Sequence, residues 1–314
     1  MRKLVTIGGT IAVLATLLGP GRALAQETDP NRVADGDFES GYVNLSLPAT
    51  APFPMFSGGW ASRGEGLPQS IEGNAFEGRR AIRIVTGPDE PLQLLQDVPL
   101  NSTAYVLHVA FLLEEGTQTV RLLHDWHRGD PGGGTPAFAA RITSLGITFT
   151  TPSGRWQLAT AIAPSNWHAL SVVADPRTGV QNVRLDGRPL IALPGVPAQP
   201  PSTIILGGTS DEAGTFRYDA LELVSLIDFE LATIRDTTVR LELPAGGAIL
   251  DRLDAARAAL ERGSEALALP ELGVARNILG AAGAGDDLRL ALADLIELIE
   301  VSAEPREELP AAQF

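Results

Sequence analysis

Tyr105-Val106-Leu107-His108-Val109-Ala110-Phe111-Leu112-Leu113 is the stretch on which the fold class turns. In an extended chain, alternate side chains point to opposite faces. Val106, His108, Ala110 and Leu112 form one set, and Tyr105, Leu107, Val109, Phe111 and Leu113 the other. Both sets are mostly apolar, as expected of a strand buried on two sides. Outward from it, Ile82/Ile84, Leu145/Ile147/Phe149, Trp156/Leu158/Ile162 and Val239/Leu241/Leu243 read as strands with one apolar face. Turn signals separate these runs: Gly87-Pro88-Asp89, Gly132-Gly133-Gly134, Pro152-Ser153-Gly154 and Asp175-Pro176. The sharpest is Asp186-Gly187 inside Val183-Arg184-Leu185-Asp186-Gly187-Arg188. Both residues tolerate the positive φ that a two-residue hairpin turn demands. Many short strands without helical patterning between them predict a mainly β fold, an antiparallel sandwich or barrel.

The pattern changes after Pro244-Ala245-Gly246-Gly247. Ile249, Leu250, Leu253, Ala256 and Leu260 recur at helical spacing, and Gly263 would stop that helix. Leu288, Leu292, Leu295 and Ile299 form a second stripe, opened by Asp286-Asp287, whose carboxylates suit the positive end of a helix. A shorter helix from Glu271 to Ala281 follows Pro270. The expected organisation is a β-domain over 26–243, a helical hairpin or bundle over 246–301 and an acidic, disordered tail over 302–314. The helical region has two readings, packing within the chain or presenting a face to a protein partner. The alanine- and leucine-rich stripes favour the first.

Residues 1–25 read as a secretory signal. Arg2 and Lys3 precede the apolar run Leu4 to Leu18, and Ala23-Leu24-Ala25 supplies a small-x-small cleavage site before Gln26. The run is shorter than the roughly 20 residues of a membrane-spanning helix, and no later segment is apolar enough to span. The expected location is secreted or periplasmic. The chain has 24 Lys+Arg against 38 Asp+Glu, a net charge of −14, and cleavage would remove three cations and no acid, giving −17. That balance argues against a nucleic-acid partner, which requires clustered positive charge. Zero cysteines exclude disulfides, thiolate nucleophiles and cysteine-held metals. Lys3 is the only lysine, so lysine-based catalysis and P-loop phosphate binding are excluded as well.

Three stretches resemble secreted jelly-roll modules of the concanavalin A-like lectin/laminin-G class and the galactose-binding-like carbohydrate-binding class. Asp35-Gly36-Asp37-Phe38-Glu39-Ser40-Gly41 with Gly59-Trp60, and then Gly78-Arg79-Arg80-Ala81-Ile82-Arg83-Ile84, look like the opening strands. Trp167 to Asp175, then Val183 to Gly187, is similar to the laminin-G-like strand pair. Ile205-Leu206-Gly207-Gly208, then Phe216 to Leu223, looks like the closing strands. The resemblance spans roughly residues 31–227 and implies an antiparallel jelly-roll β-sandwich that binds carbohydrate or a cell-surface polymer. In such modules the opening and closing strands meet and their acids hold structural Ca²⁺, and Asp37, Glu39 and Asp219 occupy the matching positions. Alternation within Phe216–Leu223 also puts Asp219 on the side of Leu221 and Leu223, where a carboxylate must be paired or coordinated. The other reading has Asp37 capping a turn, Glu39 solvated and Asp219 in ordinary hydrogen bonds.

His124-Asp125-Trp126-His127 is the densest cluster of chemically capable side chains. His124 and His127 face opposite ways on a strand, so they make a poor chelate. Trp126 suits a platform for a sugar's C–H face, with His127 or Asp125 bonding its hydroxyls. Trp60 and Trp156, each just after a glycine-containing turn, are further candidates for ligand contact. Trp167 alternates with Ala169, Ser171 and Val173 and reads as a core residue; His108 reads as a satisfied core histidine. Enzyme signatures are missing: Asp37/Glu39 gives two acids where a jelly-roll glucanase carries three on one strand, with Gly41 at the third position. G-x-S-x-G and H-E-x-x-H are absent. The reading is a non-catalytic lectin-like protein. The alternatives are a polysaccharide hydrolase or lyase with an unrecognised site, and a structural or protein-interaction module.

Overall fold

A computed structural model describes residues 31, 33, 36–39, 46–47, 60–64, 68–88, 91–98, 100–123, 136–208, 211–243, 245–281 and 286–303. The expected signal segment and the tail beyond 303 lie outside these residues. Among the described residues fourteen strands form: β1 (Ser46–Leu47), β2 (Ala61–Gly64), β3 (Gln69–Glu72), β4 (Arg80–Thr86), β5 (Leu92–Asp97), β6 (Tyr105–Leu123) and β7 (Pro136–Thr143), followed by β8 (Gly146–Thr151), β9 (Gly154–Leu158), β10 (Trp167–Asp175), β11 (Val180–Leu185), β12 (Arg188–Pro194), β13 (Thr203–Gly208) and β14 (Gly214–Ser225). They pair in two series. The first sheet runs β1-β2-β5-β13-β6-β7-β8-β9, and the second runs β3-β4-β14-β6-β10-β11-β12. Every pairing is antiparallel except the short β1–β2 contact.

β6 belongs to both sheets. Its first half, Tyr105 to Gly116, pairs with β10 and β14, and its second half, Thr117 to Leu123, pairs with β7 and β13. The switch falls at Gly116, where φ is +76°. A Cβ there would stand 2.2 Å from the Ala213 carbonyl oxygen and 2.6 Å from Gly214 Cα. Glycine is thus required for conformation and for space. Between the sheets lies one apolar cluster that includes Phe111, Phe138, Phe149, Phe216, Leu94, Leu206 and Val120. Two glutamines inside it satisfy backbone groups that strand pairing leaves over. Gln118 donates to the carbonyls of Ile84 (3.1 Å) and Gly214 (2.9 Å) and accepts from the Tyr218 hydroxyl (3.2 Å). Gln181 donates to Ala137 O (2.8 Å) and Gly195 O (2.7 Å) and accepts from Tyr105 (3.0 Å).

The Asp186-Gly187 hairpin forms as the sequence predicts, with φ of +52° and +74° and Leu185 opposite Arg188. Four helices follow the strands: α1 (Leu226–Arg240), α2 (Gly246–Glu261), α3 (Glu265–Ala281) and α4 (Asp286–Ala303). Gly263 ends α2 with φ +67°, and Asp286-Asp287 open α4. Three expectations are corrected. The run Val239/Leu241/Leu243 is not a strand, and the helical region begins at Leu226, inside the span read as β-domain. α1 is rich in β-branched residues, which favour strands. Its Leu226, Ile227, Leu231, Ile234 and Thr238 nonetheless share a buried face. Thr233, Thr237 and Thr238 return their hydroxyls to the carbonyl four residues back, so the turns carry their polar groups internally. Pro270 lies within α3, which starts five residues earlier; only the bond to the Ala266 carbonyl is forgone.

The helices share an apolar cluster with Ala104, Val106 and Val173, on the outer face of the second sheet. Arg177, after β10, donates to Asp175 Oδ2 (2.9 Å), to Glu230 Oε1 on α1 (2.9 Å) and to the Asp294 carbonyl on α4 (2.9 Å). Packing within the chain is therefore what these stripes do. None of the described helices is long and apolar enough to cross a membrane. Replacing Gly116 by Ala should lower the unfolding free energy by at least about 2 kcal/mol, because strain and a backbone clash add. Urea denaturation measures it, and an unchanged midpoint would remove the strand crossing from the account.

Candidate functional site on the outer face of the first sheet

Strand register places six residues in one row across the outer face of the first sheet: Gln93 on β5, Gly207 on β13, Thr119 on β6, Arg141 on β7, Thr148 on β8 and Gln157 on β9. At the usual strand spacing the row is roughly 24 Å long. The adjacent row runs Leu95, Ile205, Arg121, Ala139, Thr150 and Arg155. Their sequence neighbours Leu94, Leu206, Val120, Ala140 and Phe149 point the other way, into the main core. The face is buried at its β5–β13 end, where Ala61, Leu95, Leu123 and Ile205 form a small apolar cluster, and open at its β9 end, where Arg155 and Gln157 are exposed.

Glu212, between β13 and β14, reaches over this face. Its carboxylate accepts from the Thr119 hydroxyl (2.5 Å) and from Arg121 NH2 (2.8 Å), and it stands 3.5 Å from Arg141 Nε. Gly208 admits that approach, since a Cβ there would meet the Glu212 carbonyl oxygen at 2.4 Å. On the far side of Gly207 the Gln93 side chain is 4% exposed. Gly207 itself is buried, and a Cβ there would meet the Leu92 carbonyl oxygen at 2.3 Å. The groups of the row that reach solvent are Arg141, Thr148 and Gln157, which can bond a molecule rich in hydroxyls or charge.

The ligand-contact residues expected from sequence are scattered. Asp125, Trp126 and His127 lie outside the described residues. Trp60 is 4% exposed, with its ring 5.5 Å from that of Phe38 inside the core, so it offers no face to a ligand. Its preceding glycines mimic an exposed turn, but tertiary packing draws the ring inward. Trp156 sits on the inner side of the edge strand β9, half-buried against the core. Trp167 shows the opposite correction. The core-facing set of β10 is Leu170, Val172 and Ala174, which puts Trp167 on the outer face of the second sheet. There its indole N–H donates to Asn74 O (3.1 Å), and Phe76 meets it edge-on at 5.9 Å. His108 faces outward on the same sheet, bonded to Ser171 Oγ at 2.9 Å; burial pushes its pKa down to about 4 and keeps it neutral.

Asp37, Glu39 and Asp219 come near one loop, 75–80, but not to a common point. Glu39 Oε1 accepts the backbone N–H groups of Arg79 and Arg80, which hold its carboxyl below the usual range. Asp219 Oδ2 accepts from the N–H of Phe76 (2.8 Å) and Glu77 (2.9 Å), and Oδ1 from that of Ala220 (2.8 Å). Asp37 Oδ1 caps the Glu39 N–H at 3.3 Å. The side chains thus meet the positive ends of peptide dipoles where Ca²⁺ would need open oxygen lone pairs. These residues do not fit a shared calcium site, and among the described residues no group of three acids or histidines is placed to hold a metal. Residues 36–39 do meet the closing strand, as Leu221 N–H donates to Gly36 O, but as a turn with Phe38 at φ +53° and not as a strand.

No protein-family model matches the chain. No curated protein matches its sequence. Among solved structures, a sialidase overlaps 58% of this chain at 10% identity with a TM-score of 0.41, and this chain spans only 19% of that one. The carbohydrate recognition domain of Emp46p, in a metal-free form, overlaps 52% of this chain and 87% of its own at 13% identity and a TM-score of 0.37. Domain 4 of AbnA, an extracellular arabinanase from Geobacillus stearothermophilus, in complex with arabinotriose, overlaps 54% and 82% at 15% identity and a TM-score of 0.36.

Burial pushes the Asp219 carboxyl from 3.8 up to about 6, against the pull of the N–H groups of Glu77, Ala220 and Phe76. A folded pKa above the unfolded one means the folded state holds the proton more tightly, so stability falls as pH rises from about 4 through about 6. Asp219→Asn removes that dependence. The stability advantage of wild type over Asp219→Asn should be largest near pH 4 and shrink toward pH 7 in urea titrations. A gap that widens with rising pH would mean the N–H cradle outweighs burial.

Proposed function

We propose that the chain is an exported, non-catalytic, lectin-like protein that binds a glycan across the outer face of the first sheet. The observation that carries this reading is the row Arg141–Thr148–Gln157 with Arg155 in the row beside it, which sets polar and planar side chains at the open end of this face. Sugar hydroxyls are donors and acceptors at once, and planar amide, carboxylate and guanidinium groups are the partners that fix their orientation. Export is supported by the basic start, apolar run and Ala23-Leu24-Ala25 site of the first 25 residues. Leu123 and Pro136, the described residues on either side of 124–135, both lie on the first sheet. On this reading Trp126 supplies an aromatic platform, with Asp125 and His127 as polar contacts.

A glycan array with wild type, Arg141→Ala, Trp126→Ala and Trp167→Ala tests the proposal. Arg141→Ala and Trp126→Ala should each weaken binding by roughly tenfold. Trp167→Ala, on the other sheet, should bind as wild type does. Loss in Trp167→Ala with retention in Arg141→Ala would move the site to the second sheet, and no retained glycan would reject the function. Release of reducing sugar from a polysaccharide panel would overturn the non-catalytic part.

A further inference from the structure

We infer that the ligand of this face is anionic, a glycan carrying carboxylate or sulfate groups. This rests on the reading of the face as a glycan site and names the class of ligand it selects. The chain has 38 acids against 24 cations, yet Arg121, Arg141 and Arg155 all stand on this one face. They come from β6, β7 and β9, so Arg121 and Arg155 are three strands, about 14 Å, apart with Arg141 between them in the next row. Against them stand Glu212, held between the first two, and Asp97, at the far edge on β5. With Asp211 beside Arg141, the described acids equal the three arginines in number, and the arginines are gathered on the β6–β9 side of the face.

How these arginines are bonded separates them from structural ion pairs in the same protein. On the second sheet, Arg83 gives Nε and NH2 to one oxygen of Glu114 (3.1 and 2.9 Å), and Arg217 gives Nε to the other (2.7 Å). That carboxylate is gripped from both sides. On the first sheet Arg121 uses a single terminal nitrogen on Glu212 (2.8 Å). Arg141 reaches Glu212 and the Asp211 carbonyl only at 3.5 Å, the outer limit of such contacts. Arg155 has no hydrogen bond or ion pair among the described residues. A guanidinium offers five donors in a fork that matches carboxylate and sulfate oxygens. Among the described residues Arg155 leaves its donors unpaired, and Arg141 makes only the two long contacts. An anionic sugar meets the open donors of Arg141 and Arg155 with charge-assisted hydrogen bonds, stronger than those a neutral sugar makes.

Binding of the full chain to four immobilised polymers decides the matter: polygalacturonate, the same polymer methyl-esterified, dextran sulfate and dextran. The acidic forms should be retained at least about tenfold more tightly than their neutral counterparts, with affinity falling as salt is raised. Carboxylate and sulfate sources are told apart by which acidic polymer is preferred. Arg141→Gln and Arg155→Gln should each weaken acidic-polymer binding by roughly tenfold. Among the described residues Arg155 is exposed without a hydrogen bond or ion pair, and an unchanged urea midpoint for Arg155→Gln separates lost binding from unfolding. Arg188→Gln, an equal charge change at an exposed site on β12, should leave binding intact. Equal affinity for polygalacturonate and its ester, or an effect of Arg188→Gln as large as that of Arg155→Gln, would overturn the anionic inference and leave glycan binding standing. Retention of none of the four, together with an empty glycan array, would overturn both.

Discussion

The sandwich depends on one strand that serves two sheets. β6 is nineteen residues long, and its halves carry different neighbours on either side of Gly116. A strand cannot pass from one sheet to the other without a bend, and the bend brings its backbone against that of Gly214. Two glycines at the crossing remove the side chains that would keep the chains apart. Every outward position on the far half of β6, Thr119 and Arg121 included, inherits its direction from that bend.

Such a crossing leaves backbone groups that neither sheet can pair. Gln118, two residues past Gly116, bonds to the carbonyls of Ile84 and Gly214, and Gln181 does the equivalent work beneath β7. Buried amides of this kind are stabilising only when every partner is present.

Charge is organised in a similar way. Asp219 and Glu39, which resembled metal ligands by position, are answered by peptide N–H groups of a single loop. Their role is to hold that loop against the closing strand. The arginines of the first sheet have no comparable saturation. A carboxylate's position in a motif shows neither which donors face it nor whether a cation could reach it; loop 75–80 settles both.

Length, alternation and turn chemistry determined the mainly β class, the doubly buried Tyr105–Leu113 strand, the Asp186-Gly187 hairpin, the end of α2 at Gly263 and the start of α4 at Asp286; the end of α4 at Ala303 lies two residues into the span read as tail. These are local properties, set by periods of two and 3.6 residues and by positive φ. α1 escaped because β-branched residues carry a strand preference that packing against Val106 and Val173 overrides. Trp60 and Trp167 were read the wrong way round, since alternation names two faces without saying which is inside. The site was least legible of all. Gln93, Thr119, Arg121, Arg141, Arg155 and Glu212 are spread over 120 positions and share no motif. Only strand register, which pairs residues distant in sequence, sets them in adjacent rows on one face.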